Sequence, residues 1–146
     1  MPEEPTKTDP AVARQQALAL AKGWLVDEGD KIGRKAAKNR DWRGQGRVLW
    51  EAACTETEPV VLLNLLRYQA ARNTNWVTQE NVLEPTEAAL ERAIRDAAGD
   101  KELAMELIRH LLVYTLRAHR HEEWRRREEE KKAKKREKHE ARGARP

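Results

Sequence analysis

The chain has 146 residues, of which 39% are hydrophobic and 37% charged, and it contains no phenylalanine. This length fits one domain with tails, and the apolar runs are too short for a transmembrane helix, which needs ~20 residues. The formal net charge is +4, but residues 125–146 hold eleven Lys/Arg and five Asp/Glu, a local charge of +6 that leaves −2 for the rest. Whole-chain charge is therefore weak evidence for nucleic-acid binding, and local patches have to carry that argument.

The single cysteine, Cys54, excludes an internal disulfide and is typical of a reducing compartment. The first residues lack the hydrophobic stretch of a signal peptide. We therefore expect a cytoplasmic protein that does not enter a membrane, with Cys54 as a small residue of the core.

Hydrophobic spacing predicts an all-α fold, a small helical bundle of about five helices with a charged C-terminal extension. We divide the chain into a disordered N-terminal tail (1–9), a helical bundle domain (10–124) and a basic charged tail (125–146). The first helix should begin at Pro10 with Asp9 as its cap, and the acidic residues around Gly29 should end it.

A basic segment follows this helix, with the sequence KIGRKAAKNRDWRGQGR over residues 31–47. Its cations recur at helical spacing, its glycines predict a loop that can approach a ligand, and its tryptophan can stack on a base. Alternatively, the segment is a solvated turn whose Trp42 packs on the core. The candidate nucleic-acid contacts are Lys31, Arg34, Lys35, Lys38, Arg40, Trp42, Arg43 and Arg47.

The stretch PVVLLNLLRYQAARN, residues 59–73, should form the central helix of the fold. It is apolar nearly all round, so we expect it to be buried on several sides, with Pro59 at its first turn. Its polar end adds Arg67 and Arg72 to the candidate contacts, although both could instead form internal salt bridges with Glu51, Glu56 or Glu58.

Two more helices should form a hairpin, one starting at Pro85 and the other capped by Asp100, with Gly99 in the short turn. The last helix has the clearest period, and Trp124 should be its last anchored residue. Beyond it we expect a frayed helix that passes into a disordered basic end. Histidines near this end do not have metal-ligand spacing, and no nucleophile or phosphate-loop motif is present, so we expect neither an enzyme nor a metal or cofactor site.

In LLRYQAARN (Leu65–Asn73) an arginine follows a tyrosine by four residues at the predicted end of a helix. IRDAAGDKELAMELIRHLLVY (Ile94–Tyr114) has helix–glycine–helix spacing, and LIRHLLVYTLRAH (Leu107–His119) belongs to the second helix of that hairpin. These segments resemble the small helical subunit of type III CRISPR effector complexes, a family of antiviral defence proteins. The resemblance covers roughly Leu49–Glu122 and favours the Csm-type subunit, with the Cmr-type subunit as the near alternative.

The resemblance implies a non-catalytic subunit whose copies stack along a ribonucleoprotein, next to other effector subunits, and hold guide RNA and target RNA by their backbones. Base pairing between the RNAs would then supply sequence specificity, and the protein would need only phosphate contacts. Two other functions remain open from the residues alone: a helical protein–protein adaptor with a basic tail, and a DNA-binding regulator.

Overall fold

A computed structural model describes residues 9–39, 42–73 and 81–144. These residues form the helices α1 (Pro10–Ala36), α2 (Trp42–Thr55), α3 (Pro59–Arg72), α4 (Leu83–Asp96) and α5 (Lys101–Gly143). The three ranges contain no strand, so the predicted all-α bundle is confirmed. None of their helices is both long and apolar enough to cross a bilayer.

The two longest helices, α1 and α5, lie side by side and run parallel. Arg14, near the start of α1, donates to Asp100 at 3.1 Å, and Asp100 caps α5. Further along, Gly29 lies against Thr115, and Gly33 lies against Thr115 and Ala118. Each of these α1 residues contacts a residue that lies about 86 positions later in the chain. Because this separation stays nearly constant along both helices, they run in the same direction.

The predicted end of α1 near Gly29 is wrong. Asp9 caps the helix as expected, with its side chain accepting from the Ala11 backbone N–H at 3.0 Å, but the helix continues to Ala36. Gly29 and Gly33 are buried within it. They let the α1 backbone approach α5 closely, so tertiary packing outweighs the low helix propensity of glycine.

The glycine loop predicted between residues 42 and 47 is also absent. Gly44 and Gly46 both lie inside α2, and Gly46 packs close to the Trp42 ring and to Leu116 of α5. The predicted core position of Cys54 is wrong as well, because its side chain is exposed on this helix. Residues 56–58 then join α2 to α3, which begins at Pro59 as predicted.

The central helix, α3, is not buried on several sides. Leu62, Leu63 and Leu66 face the core, but Val61 is 44% exposed and Tyr68 57% exposed. The apolar residues of α3 therefore lie on two different faces of the helix, one packed in the bundle and one open to solvent. The most deeply buried side chains lie mainly on other helices: Leu25, Ile32, Trp42, Leu49, Leu90, Met105, Leu107, Ile108 and Leu111.

The turn between α4 and α5 has the predicted chemistry. Gly99 adopts a left-handed conformation with φ of 89°, and Asp100 accepts from the Leu103 backbone N–H at 3.1 Å. This cap satisfies one of the free donors at the start of α5. The helix α4 begins at Leu83, two residues before the expected Pro85.

The charged extension is helical and not frayed, because α5 continues to Gly143. Its 43 residues correspond to a rod of about 65 Å. No apolar stripe supports its distal part, where residues 129–144 are exposed. The ion pairs one turn apart that the structure describes lie only at its start, with Arg125 2.6 Å from Glu129 and Lys131 3.4 Å from Glu128, and such exposed pairs support a helix weakly.

Candidate nucleic-acid interface

The predicted cations of α1 lie at its exposed C-terminal end, but carboxylates of the same helix neutralise part of their charge. Arg34 pairs with Asp30 at 3.0 Å, and Lys31 pairs with Glu28 at 3.6 Å. Lys35 and Lys38 are also exposed at the same helix end. Exposed pairs of this kind contribute little to stability, but they lower the local positive potential that a phosphate would experience.

The stacking role expected of Trp42 is contradicted by its position. Its exposed fraction is 0%, so the ring belongs to the core, as the alternative interpretation of this segment stated. Arg43 and Arg47 lie on the exposed side of α2, and Arg47 pairs with Glu51 at 3.6 Å. Arg40 lies outside the described residues.

The two arginines of α3 differ in their contacts. Arg67 bridges to α4, with distances of 3.0 Å to Glu87 and 3.3 Å to Glu91. An internal salt bridge was one of the two expectations for this residue, but the predicted partners were wrong. Arg72 lies over the Tyr68 ring, with its guanidinium carbon 5.7 Å from the ring centroid.

The nine predicted contacts that the structure describes therefore do not form one cationic surface. Trp42 is buried and Arg67 is held against α4, while the cations of α1 and α2 are interleaved with acids. A stronger basic feature lies on α5.

The exposed side of α5 carries a row of cations at intervals of three or four residues, which places them on one helix face. We call this set the α5 basic row, and it consists of Arg117, Arg120, Arg127, Lys131, Lys134, Lys135, Lys138 and Arg142. It extends for about 38 Å along the helix. Arg127 pairs with Glu123 at 3.6 Å and Lys131 with Glu128 at 3.4 Å. The other six have no ion-pair partner within the described ranges.

Most acids of the distal helix lie outside the face that carries the α5 basic row. Glu140 continues the side of α5 on which Glu122 is buried against the bundle. Glu130 and Glu137 border the row, because they lie four residues before and three residues after Lys134. No acid lies within the row's own face between Lys131 and Arg142.

Trp124 occupies a gap in the α5 basic row between Arg120 and Arg127. Its ring is 57% exposed and lies 5.9 Å from the His121 ring. The prediction that Trp124 is the last anchored residue of the bundle is wrong. An exposed indole between arginines is instead suited to stacking on an unpaired base.

A buried carboxylate, that of Glu122, lies where α5 leaves the bundle. Arg125 donates to Glu122 through two nitrogens, at 2.7 and 3.1 Å, and this bidentate contact lowers the pKa of Glu122. Arg34 of α1 also lowers the pKa of Glu122, so the end of α1 lies beside this turn. The paired cations of α1 therefore flank the point where α5 leaves the bundle.

His119 lies one turn before this carboxylate, on the buried side of α5. It is 5% exposed, and burial lowers its pKa below the usual 6.5, while Glu123 at 3.3 Å acts in the opposite direction and Arg43 adds to the lowering. Burial thus favours the neutral form of the imidazole. The ring forms part of the packing between α1 and α5 and not part of the cationic face.

The net charge of the basic tail is weak evidence for a nucleic-acid interface, because it averages over all sides of the helix. The informative feature is the spacing, since the cations at 127, 131, 134, 138 and 142 share one face only if the helix continues. The missing apolar stripe predicts fraying, and a frayed helix has no such face. The sequence prediction therefore missed the α5 basic row.

Comparisons with protein-family models, with curated proteins and with solved structures each gave no match for this chain.

Proposed function

We propose that this chain is a non-catalytic RNA-binding protein that holds the sugar–phosphate backbone along the exposed face of α5. The observation that carries the proposal is the α5 basic row, in which six cations have no acidic partner within the described ranges. Such a row attracts phosphates and releases counterions, and it requires no particular base sequence. Trp124 adds a stacking surface for an unpaired base.

The more specific proposal is a small subunit of a type III CRISPR effector complex. It rests on the resemblance of residues 49–122, and it places copies of the chain along a guide–target duplex. The rod of α5 would extend each copy's contact beyond the bundle, because the projecting residues from Arg125 onward add about 28 Å of helix. Neighbouring subunits and stacked copies are the partners that this proposal requires.

An adaptor function is the second candidate, and the exposed apolar residues of α3 favour it. Val60 is 61% exposed, and Val61 and Tyr68 are also open to solvent. Apolar side chains exposed in a group are a common feature of protein-docking surfaces. An adaptor would use this face and would bind RNA only weakly and nonspecifically.

Anisotropy titrations with labelled single-stranded RNA, duplex RNA and duplex DNA over a salt series test the proposal. The double variant Lys134→Glu/Lys138→Glu removes two members of the α5 basic row. The variant Lys132→Glu/Arg136→Glu, which changes the net charge equally on a neighbouring side of the helix, is the matched control. We expect RNA affinity to fall more in the first variant, and its salt slope to decrease by roughly 0.7 to 0.9 for each phosphate that is no longer neutralised.

Equal losses in the two variants would show that net charge alone attracts RNA and would contradict a defined contact face. Preferential binding of duplex DNA would instead favour the DNA-binding regulator.

A further inference from the structure

A groove of about 410 Å³ lies between α2 and α3, and no residue of the α5 basic row lines it. Gln45 and Val48 of α2 form one wall, and Leu65, Tyr68 and Arg72 of α3 form the other. The volume is within the range of small-ligand sites, and the lining combines one aromatic ring with amides and a cation.

Gln69 gives the groove a buried polar group. The residue lines the groove and is 6% exposed, and its side-chain oxygen is buried without a hydrogen-bond partner in the described part of the chain. A buried acceptor without a donor costs free energy, and most native structures avoid it. The terminal torsion of glutamine is soft, so the amide can turn toward a donor that enters the groove.

Tyr68 and Arg72 supply the other two contacts that a nucleotide needs. The Tyr68 ring is 57% exposed, and the Arg72 guanidinium lies 5.7 Å from its centroid. A base can stack on the open part of the ring, and a guanidinium fork matches phosphate geometry. An apolar peptide would leave both the guanidinium and the buried amide without a polar partner.

We propose that this groove binds a single unstacked nucleotide, with the base on Tyr68, a base-edge N–H donated to Gln69 and the phosphate on Arg72. The nucleotide can belong to an RNA strand or be free in solution. The strand is the source we favour, and that choice rests on the proposed RNA-binding function. The groove would then distinguish single-stranded from duplex RNA, because a paired base cannot leave its stack without cost.

The test uses the full-length chain and two kinds of ligand. AMP and UMP represent free nucleotides, and a short single-stranded oligoribonucleotide represents the RNA strand. Tyr68→Ala removes the stacking surface, and Gln69→Leu replaces the amide with an apolar group of similar size. Val61→Ala, on the same helix but outside the groove lining, is the matched control. We expect Tyr68→Ala to weaken single-strand binding by about 5- to 150-fold and duplex binding little.

Gln69→Leu should also weaken single-strand binding without lowering the melting temperature, since it removes an unpartnered polar atom from the interior. If the parent chain binds AMP or UMP and the same two variants lose that binding, the groove accepts free nucleotides as well.

Two results would overturn the inference, and neither affects the proposed function of α5. In the first, Tyr68→Ala and Gln69→Leu bind the oligonucleotide as the parent does, while Lys134→Glu/Lys138→Glu loses affinity. In the second, sedimentation shows a dimer that Tyr68→Ala dissociates with no change in RNA affinity, which assigns the groove to a second copy of the chain.

A different result would contradict the proposed function of α5 alone. In that case the Lys134→Glu/Lys138→Glu variant still binds a nucleotide in the groove, and its affinity for duplex RNA equals that of the parent.

Discussion

Gly33 of α1 lies so close to Thr115 of α5 that a Cβ atom added at position 33 would be 2.5 Å from the Thr115 carbonyl oxygen. The same Cβ would lie 2.6 Å from the Ala118 Cβ. These neighbours are backbone and a short side chain, which cannot rotate away. Any larger residue at position 33 would therefore force the two helices apart.

We expect Gly33→Ala to destabilise the fold by about 1 to 3 kcal/mol, because the helices must separate to accommodate the methyl group. Gly23→Ala is the matched control, since Gly23 lies in the same helix and a Cβ added there would meet nothing within 4 Å. That control should stabilise α1 by up to about 1 kcal/mol through helix propensity. Denaturant unfolding of both variants measures the difference, and equal stability would show that α1 and α5 are not in close contact.

The helix boundaries could be predicted where a cap or a turn determines them locally. Asp9, Pro59 and Asp100 each mark a helix start through short-range chemistry, and all three are confirmed. Gly29 misled the prediction because its role depends on α5, which is far away in sequence. Local glycine rules cannot distinguish a helix end from a close helix contact.

A second prediction concerns the two faces of α3. Leu63→Asp should destabilise the bundle by several kcal/mol, because Leu63 is 8% exposed and a buried unpaired charge is costly. Val61→Asp places the same charge on the same helix at a position that is 44% exposed, and its effect should remain below about 1 kcal/mol. Thermal denaturation separates the two, and similar melting temperatures would mean that the face assignment of α3 is wrong.

The pH dependence of stability should carry the signature of His119. Because burial lowers the pKa of His119 in the folded state, the unfolded chain takes up a proton first as the pH falls below 6.5. This residue's contribution to stability is therefore complete above pH 6.5 and is lost as the pH falls from 6.5 to the lower folded pKa. His119→Gln should make the free energy of unfolding, measured with urea, depend less on pH across that interval. His121→Gln changes an exposed neighbour and should leave the pH dependence unchanged.

Trp124 provides a prediction for RNA binding. Trp124→Ala should weaken binding of single-stranded RNA by about 1 to 3 kcal/mol, the usual range for one base–aromatic stack. Leu20→Ala removes another exposed apolar side chain, one that is 88% exposed and lies on α1, and it should leave affinity unchanged. Direct titration measures both, and an unaffected Trp124→Ala variant would restrict the α5 interface to phosphate contacts.

The candidate interface was less accessible to sequence reasoning than the fold. Lys31 and Arg34 are exposed cations as predicted, but their partners Glu28 and Asp30 lie just upstream, in a segment whose pattern also fits the end of a helix. Trp42 was misassigned because an aromatic residue between arginines has the same local pattern whether it is buried or exposed. The partners of Arg67 belong to α4, and only the tertiary packing identifies them.

The parallel pairing of α1 with α5 joins segments that are synthesised about 86 residues apart. A nascent chain that has completed α1 must therefore wait for most of α5 before the largest interface of the bundle can close. During that interval Leu25 and Ile32 have no partner from the last helix, although both are fully covered in the finished fold. Completion of the bundle core therefore depends on the last helix to be synthesised, and this dependence is a property of the topology more than of any single residue.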